Sequence, residues 1–219
     1  MYTPRFNQVD DEAEIRRMVA EARVAWLVTA APDGVPQASL LPIIWRPGDG
    51  GRGENGTVIA HLARANRHWR AITNGAPALL IVTGPDAYIH PGWYAAKAEA
   101  GKVVPTWNYS AVHLSGPITV HDDPEWLRAA VTELTELHES GRSDAWAVTD
   151  APPEYLDMQL SGIVGIEVAV EKVEGKAKLS QNRSEADRRG VVAGLATEPF
   201  PGAEAVAAAM TSGLSDPRG

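Results

Sequence analysis

The stretch Lys102-Val-Val-Pro-Thr-Trp-Asn-Tyr-Ser-Ala-Val-His-Leu-Ser-Gly116 decides the fold of the middle of this chain. Pro105 has no backbone N–H to donate to a neighbouring strand, so we expect a loop to end there and a strand to begin. Aromatic and β-branched residues follow closely, as they do in strands. A cation, a stacking ring and an amide in this order suit a flat aromatic ligand that carries a phosphate group. Four side chains here are costly on a plain structural strand: Lys102, Trp107, Asn108 and His113.

Strand patterns continue on both sides of this stretch. Pro32-Asp-Gly34 predicts a hairpin turn, Asp123 is placed to cap a helix that begins at Pro124, and a second helix covers 184–195. Strands do not alternate with helices, and closing antiparallel strands removes exposed edges. We therefore predict a mainly β protein, an antiparallel barrel of six or seven strands with peripheral α-helices. The predicted strands are 24–30, 37–45, 57–62, 76–83, 86–90, 107–120 and 163–173.

The composition is that of an ordinary folded protein, with 219 residues, 44% of them hydrophobic and 22% charged. We assign 1–197 to one main domain and the Ala-, Gly- and Pro-rich residues 198–219 to a tail that we expect to be partly disordered. No apolar run reaches the ~20 residues of a membrane helix, and no signal peptide is evident, so we expect a cytoplasmic protein with no membrane partner. The absence of cysteine excludes disulfides and thiolate catalysis.

The net charge argues against direct nucleic-acid binding. The chain carries −8 at pH 7, whereas a protein held by phosphate contacts usually presents a basic face. The closest approach to such a face is Arg183 with Arg188 and Arg189. Glu185 and Asp187 interrupt it, which is typical of a solvated helix face.

The segment Ala63-Arg64-Ala65-Asn66 leads from a strand into a predicted short helix. Asn66 is a favoured N-cap residue, and the free N–H groups behind it attract anions. Arg64 and Arg67 add positive charge, and arginine donates two bonds to a phosphate. The residues alone fit a phosphate site and a capped helix with solvated arginines equally well. Trp69 either shapes this site or anchors the helix in the core.

Six histidines raise the question of a metal or a haem. No His-Glu-x-x-His motif occurs and no cluster has ligand spacing, so we predict no metal site. His61 or His113 as an axial haem ligand is a minor alternative, because isolated histidines more often have hydrogen-bonded structural roles. No Gly-x-Ser-x-Gly motif and no cysteine nucleophile is present, so the catalytic residues, if any, stay unassigned.

Four separate segments, in the same order, closely resemble the motifs of the PaiB family. Members are FMN-binding, split-barrel relatives of pyridoxine phosphate oxidase and are usually described as transcriptional regulators. The likeness runs from the first residues to about Leu195. The four segments are His61-Leu-Ala-Arg-Ala-Asn-Arg-His-Trp69, Gly84-Pro-Asp-Ala-Tyr-Ile-His-Pro-Gly-Trp-Tyr94, the 102–116 stretch and Lys178-Leu-Ser-Gln-Asn-Arg183.

The resemblance implies a split barrel that binds FMN, with the phosphate at Arg64, Asn66 and Arg67. In related dimers the flavin lies between subunits, which implies a homodimer and allows Lys102, Trp107 and Asn108 to serve the partner's cofactor. The residues that we assign to FMN are His61, Arg64, Asn66, Arg67, Trp69, Lys102, Trp107, Asn108, His113 and Gln181.

Three kinds of function remain open, because fold does not fix function. The first is an FMN-linked negative transcriptional regulator that acts through its ligand state or a partner. The second is a flavin-dependent oxidoreductase or flavin reductase, and the third is a haem-binding or cofactor-free interaction protein. The sequence departs from the family where Ala177 replaces an expected aromatic residue, which would leave the flavin pocket more open. It also departs where Arg5-Phe6 replaces a His-Phe pair.

Overall fold

A computed structural model describes residues 1–31, 34–46, 48 and 53–212. The predicted turn at Pro32-Asp-Gly34 therefore lies largely outside the described residues. The strands are β1 (Gln8–Val9), β2 (Val24–Thr29), β3 (Gln37–Pro42), β4 (Ile44–Arg46), β5 (Thr57–Ala63), β6 (Pro77–Ile89), β7 (Thr106–His121), β8 (Ile163–Ala169) and β9 (Lys172–Lys178). The helices are α1 (Glu12–Ala22), α2 (Ala96–Ala100), α3 (Pro124–Glu139), α4 (Pro153–Ser161), α5 (Glu185–Leu195) and α6 (Ala203–Thr211).

The described strands form one antiparallel sheet with the order β3-β2-β6-β7-β8-β5-β4, and β9 pairs with β1 and β7. The register of β5 against β8 runs from Thr57 opposite Ala169 to Ala63 opposite Ile163. The sheet has nine described strands rather than the six or seven expected. The predicted fold class itself, a mainly β antiparallel split barrel with peripheral helices, is confirmed. None of the helices in the described part of the chain is both long and apolar enough to cross a bilayer.

Three predicted strands differ from the structure for local reasons. The predicted strand 37–45 is two strands, β3 and β4, and the backbone N–H of Ile43 between them donates to the carbonyl of Arg23 at 3.0 Å. The break expected at Gly84-Pro85 is absent, and β6 runs through it. A Cβ on Gly84 would lie 2.1 Å from the hydroxyl oxygen of Ser110, so the glycine allows close strand approach here rather than a turn. In contrast, the predicted strand 163–173 is two strands, because the backbone of Val170 bonds to Gly56 and Asn55 instead of continuing the ladder.

The chain divides into two compact units. The first contains residues 1–18, 83–112 and those from 174 onward, and the second contains 19–82 and 113–173. The core of the first unit includes Ile89, Tyr94 and Leu195, and α6 adds Val206 and Met210 to it. Part of the segment that we assigned to a tail is therefore a packed helix, whereas residues 213–219 lie outside the described residues.

The second unit is built around strands with fully buried side chains such as Leu27, Ile59 and Ile166. Its helix α3 begins as predicted: the side chain of Asp123 accepts a hydrogen bond from the backbone N–H of Trp126 at 2.8 Å. Trp126 packs on β8, where a Cβ on Gly165 would lie 2.1 Å from its ring. The absence of a side chain at Gly165 therefore allows α3 to pack closely against the sheet.

Candidate functional site

The junction after β5 lies in the second unit and has the predicted cap. The side chain of Asn66 accepts a hydrogen bond from the backbone N–H of His68 at 3.0 Å, at the start of a 3₁₀-helix (Arg67–Ala71). The amide nitrogen of Asn66 donates to Ser39 Oγ at 3.2 Å. The N-cap prediction is confirmed, and the junction is fixed to β3.

His68 is a structural residue that the sequence analysis did not single out. Only 4% of its surface is exposed, and its ring nitrogens lie 2.9 Å from Thr29 Oγ1 and 2.9 Å from Ser39 Oγ. Burial lowers the pKa of His68, because a charged ring loses hydration there. The neutral imidazole therefore ties the junction to β2 and β3.

Arg64 is already engaged on all three guanidinium nitrogens. Its Nε donates to the carbonyl of Ser161 at 2.7 Å, Nη2 donates to the carbonyl of Ile163 at 2.9 Å, and both terminal nitrogens contact the carboxylate of Asp122. The hydrogen bonds from Arg64 hold the pKa of Asp122 below its usual range. Arg64 thus acts as a clamp between strand ends.

The guanidinium of Arg67 is open to a ligand. Its side chain is exposed and makes no hydrogen bond or ion pair with any residue that the structure describes. Trp69 donates its indole N–H to the carbonyl of Arg64 at 2.9 Å, and the guanidinium of Arg70 lies 5.4 Å from its ring centroid. Both contacts hold Trp69 beside the junction.

Two predicted histidines lie on strands of the second unit. His61, on β5, is half-buried, and its Nδ1 has no hydrogen-bond partner among the described residues. Burial lowers the pKa of His61. His113 lies on β7 and is also half-buried. A search of the described residues finds no group of three or more His, Asp or Glu side chains that could hold a metal ion.

The other four predicted residues belong to the first unit. Lys102 is exposed, and Trp107 is 52% exposed with an edge contact to Tyr88 at 6.4 Å between ring centroids. Asn108 is fully buried: its amide nitrogen donates to Met210 Sδ at 3.3 Å and its oxygen accepts from Ser180 at 3.2 Å. The amide of Gln181 bonds locally to the backbone of Leu179 and Ala177. Of these four, Trp107 is the one that offers an exposed ring for stacking.

The first unit also contains a cleft of about 410 Å³ that the sequence analysis did not predict as a whole. Three cations line it, Lys176, Lys178 and Arg183, and no aspartate or glutamate is among its described lining residues. We call it the basic cleft. Lys178 and Arg183 are the first and last residues of the motif 178–183. The sequence alone therefore indicated part of the basic cleft. Lys176 was missed because its partners, the carbonyl of Tyr2 and the hydroxyl of Tyr109, are distant in sequence.

A larger cavity of about 640 Å³ lies in the second unit, between α3, α4 and the loop before α4. Trp146, Val148 and Leu156 are among its lining residues, with Glu136 and Glu139. None of the residues predicted to bind a cofactor lines it.

Comparisons with known proteins agree with the motifs. The family model described as "Putative FMN-binding domain" matches residues 1–172. The chain is 33% identical over 214 residues to "Protease synthase and sporulation protein PAI 2" of Bacillus subtilis, covering 98% of each chain. It is 31% identical over 167 residues to an uncharacterized protein of Emericella nidulans, covering 64% of this chain and 66% of that one.

Solved structures share the fold at low sequence identity. The FAD and heme binding protein of Mycobacterium smegmatis aligns with a TM-score of 0.55 at 18% identity, covering 78% of this chain and 73% of that one. The flavocytochrome Anf3 of Azotobacter vinelandii aligns with a TM-score of 0.57 at 15% identity, covering 80% and 72%. At these identities the likeness shows the fold alone. The family match and the full-length relative together show that the chain belongs to the PaiB family of FMN-binding-domain proteins.

Proposed function

We propose that this protein binds FMN and acts as a flavin-linked regulator. The observation that carries the cofactor assignment is the junction after β5, where the exposed Arg67 follows the fixed cap Asn66. This junction lies within the 1–172 range that matches the FMN-binding family. The regulatory role is carried over from the usual description of the PaiB family, to which the chain belongs.

The residues at the junction fit a phosphate group, but Arg64 and Arg67 would have different roles from those expected from the sequence. Arg67 would pair with the phosphate. The backbone N–H groups of Asn66 and His68 would not add donors, because they already bond to the carbonyl of Ala63 and to the side chain of Asn66. Arg64 would position the junction rather than bind the phosphate, because its nitrogens are engaged by Asp122 and two carbonyls. The hydrogen bonds of Trp69 and His68 would hold the junction in this conformation. The bound flavin would supply the redox-active ring, which no side chain of this protein can replace.

We also propose that the protein is a homodimer and that it regulates without binding DNA directly. The junction covers only the phosphate end of FMN, so the ring needs a second wall, which a partner subunit would supply through Lys102, Trp107 and their neighbours. A net charge of −8 disfavours phosphate-backbone contacts. The protein would therefore act on transcription through its flavin state or through a protein partner.

The test is a visible absorption spectrum of the purified full-length protein after incubation with FMN and removal of free flavin. A retained flavin spectrum, with riboflavin retained less well, supports the proposal, because the two ligands differ only in the phosphate. Addition of reduced nicotinamide then distinguishes a regulator from a flavin-dependent oxidoreductase. A bound flavin that is not steadily turned over fits a regulator, whereas steady nicotinamide oxidation would contradict a purely regulatory role.

A further inference from the structure

The cavity of about 640 Å³ between α3, α4 and the loop before α4 shares no residue with the proposed flavin site. We call it the α3–α4 cavity. All of its lining residues lie between positions 128 and 156, within the second unit. None of them belongs to the four segments that resemble the PaiB motifs. The cavity has the usual size of a small-molecule site, and the flavin motifs do not account for it.

Hydrogen bonds between its walls hold the α3–α4 cavity in shape. Arg128 Nη2 donates to Asp157 Oδ1 at 2.5 Å, which joins α3 to α4. The carboxylate of Glu139 accepts from the backbone N–H of Trp146 at 3.1 Å, which joins the loop to the end of α3. The chain itself therefore fixes the walls on both sides. Sites for small molecules are usually pre-formed in this way.

The walls of the cavity differ in chemical character. The loop and α4 contribute apolar residues, among them Trp146, Val148 and Leu156. The wall from α3 is polar, and its residues recur at helical spacing, so they share one face of the helix: Arg128, Thr132, Thr135, Glu136 and Glu139. A ligand uses both kinds of wall only if it has a polar end and an apolar body.

Trp146 gives the cavity an open aromatic surface. Its side chain is 46% exposed, whereas Val148, which lines the same cavity, is buried. In the described part of the chain, no lysine or arginine lies over the ring of Trp146. Tryptophan is the side chain whose ring attracts cations most strongly. The ring of Trp146 is therefore available to the apolar body of a ligand and to a positive charge.

The charge of the cavity that is left unbalanced is negative. The charged residues that line it are Arg128, Glu136 and Glu139. Arg128 is paired with Asp157, and the carboxylate of Glu139 lies 3.6 Å from Arg142 Nε. The carboxylate of Glu136 makes no hydrogen bond or ion pair with any residue that the structure describes. The cavity therefore favours a cation and disfavours an anion such as FMN.

We propose that the α3–α4 cavity binds a small organic cation, an amine with a flat apolar body. The ammonium group pairs with the carboxylate of Glu136, and the body packs on Trp146 and Leu156. The hydroxyl of Thr135, on the same wall as Glu136, can accept a second hydrogen bond from the ammonium. The amine is opposite in charge to the phosphate of FMN, so the two ligands do not compete for one site.

The test is isothermal titration of the full-length protein with three ligands of similar shape, benzylamine, benzyl alcohol and benzoate, at about pH 7, where an amine is protonated. The three carry a positive charge, no charge and a negative charge. Benzylamine should bind, and benzyl alcohol should bind about tenfold more weakly because it lacks the charge. Benzoate should bind more weakly still. Failure of benzylamine to bind the folded protein, or benzoate binding as tightly as benzylamine, would overturn the proposal.

Two matched variants of α3 locate the binding site. Glu136→Gln changes an exposed side chain and should weaken benzylamine binding by about tenfold or more, with a much smaller effect on benzyl alcohol. Glu125→Gln removes the same charge from α3 outside the cavity and should leave benzylamine binding unchanged. Equal effects of the two variants, or displacement of benzylamine by added FMN, would overturn the proposal.

Discussion

Arg64, one residue past the end of β5, forms an ion pair with Asp122, one residue past the end of β7. The same guanidinium also reaches the carbonyls of Ser161 and Ile163, where α4 ends and β8 begins. One side chain therefore fastens three strand ends of the second unit. This explains why an arginine beside a proposed phosphate site need not touch the phosphate.

Replacing Arg64 by Ala should lower the thermal unfolding midpoint, because two carbonyls and one carboxylate lose their donor. Arg64→Lys should recover only part of the loss, since an ammonium cannot reproduce the fork geometry of the guanidinium. Differential scanning calorimetry of both variants measures the effect. The matched control is Arg67→Ala, whose midpoint in the absence of flavin should stay close to that of the parent. Equal unfolding midpoints for Arg64→Ala and the parent would contradict a stabilising role for the Arg64 contacts.

Two histidines, one buried and one half-buried, should make stability depend on pH. His68 and His61 have folded-state pKa values lowered from 6.5 by burial, so the unfolded state binds more protons. Their contribution to the free energy of unfolding is fully present above about pH 6.5 and is lost as the pH falls through the lower folded-state values. Urea unfolding at about pH 7.5 and about pH 5.5 tests this. The free energy of unfolding should fall less between these two pH values in His68→Gln than in the parent. An equal fall in both would show that His68 does not contribute to the pH dependence.

Tyr94→Phe should stabilise the ligand-free protein. The variant keeps the ring in the core with Ile89 and Leu195 and removes a buried hydroxyl that has no partner in the described part of the chain. An unsatisfied buried polar group costs about 1–3 kcal/mol, so the free energy of unfolding should rise by up to that amount. Chemical denaturation of parent and variant measures it. A fall of similar size would show that the hydroxyl has a partner in the free protein.

The protein should be a dimer in solution. A monomer has a mass of 23.4 kDa, and the proposed flavin site needs a second wall from a partner subunit. Light scattering at micromolar concentration should give about twice the monomer mass, and addition of FMN should favour the dimer at lower concentration. A mass near 23.4 kDa with FMN bound would rule out a partner's contribution to the site.

The sequence predicted those features whose causes are local. The cap at Asp123 with Pro124 behind it, and the cap at Asn66, depend on side chains within three residues of the backbone groups that they satisfy. Alternation and β-branched residues likewise predicted β2, β5 and β7 to within one residue at each end. The continuous β6 could not be predicted, because Gly84-Pro85 resembles a turn unless the approach of Ser110 is known.

The sequence predicted less of the candidate site because its contacts are distant along the chain. Asn108 reads as a ligand-binding amide, but its partners Ser180 and Met210 lie 72 and 102 positions away. The Ala-rich helix α6, which supplies Met210, has too little polar pattern to be distinguished from a tail. The contact of Arg64 with Asp122 could not be predicted, because Asp122 lies 58 positions away and carries no motif signal.

The proposed FMN binding depends most directly on phosphate recognition by Arg67. Removing a charge-assisted contact costs roughly 1.5–3 kcal/mol, so Arg67→Ala should weaken FMN binding by about tenfold to a hundredfold. Riboflavin lacks the phosphate, and its affinity should not change. Fluorescence quenching titrations of parent and variant with both flavins, with circular dichroism to confirm folding, measure this. Selective loss of FMN affinity is the predicted result; equal losses for the two flavins, or no FMN binding by the parent, would contradict it.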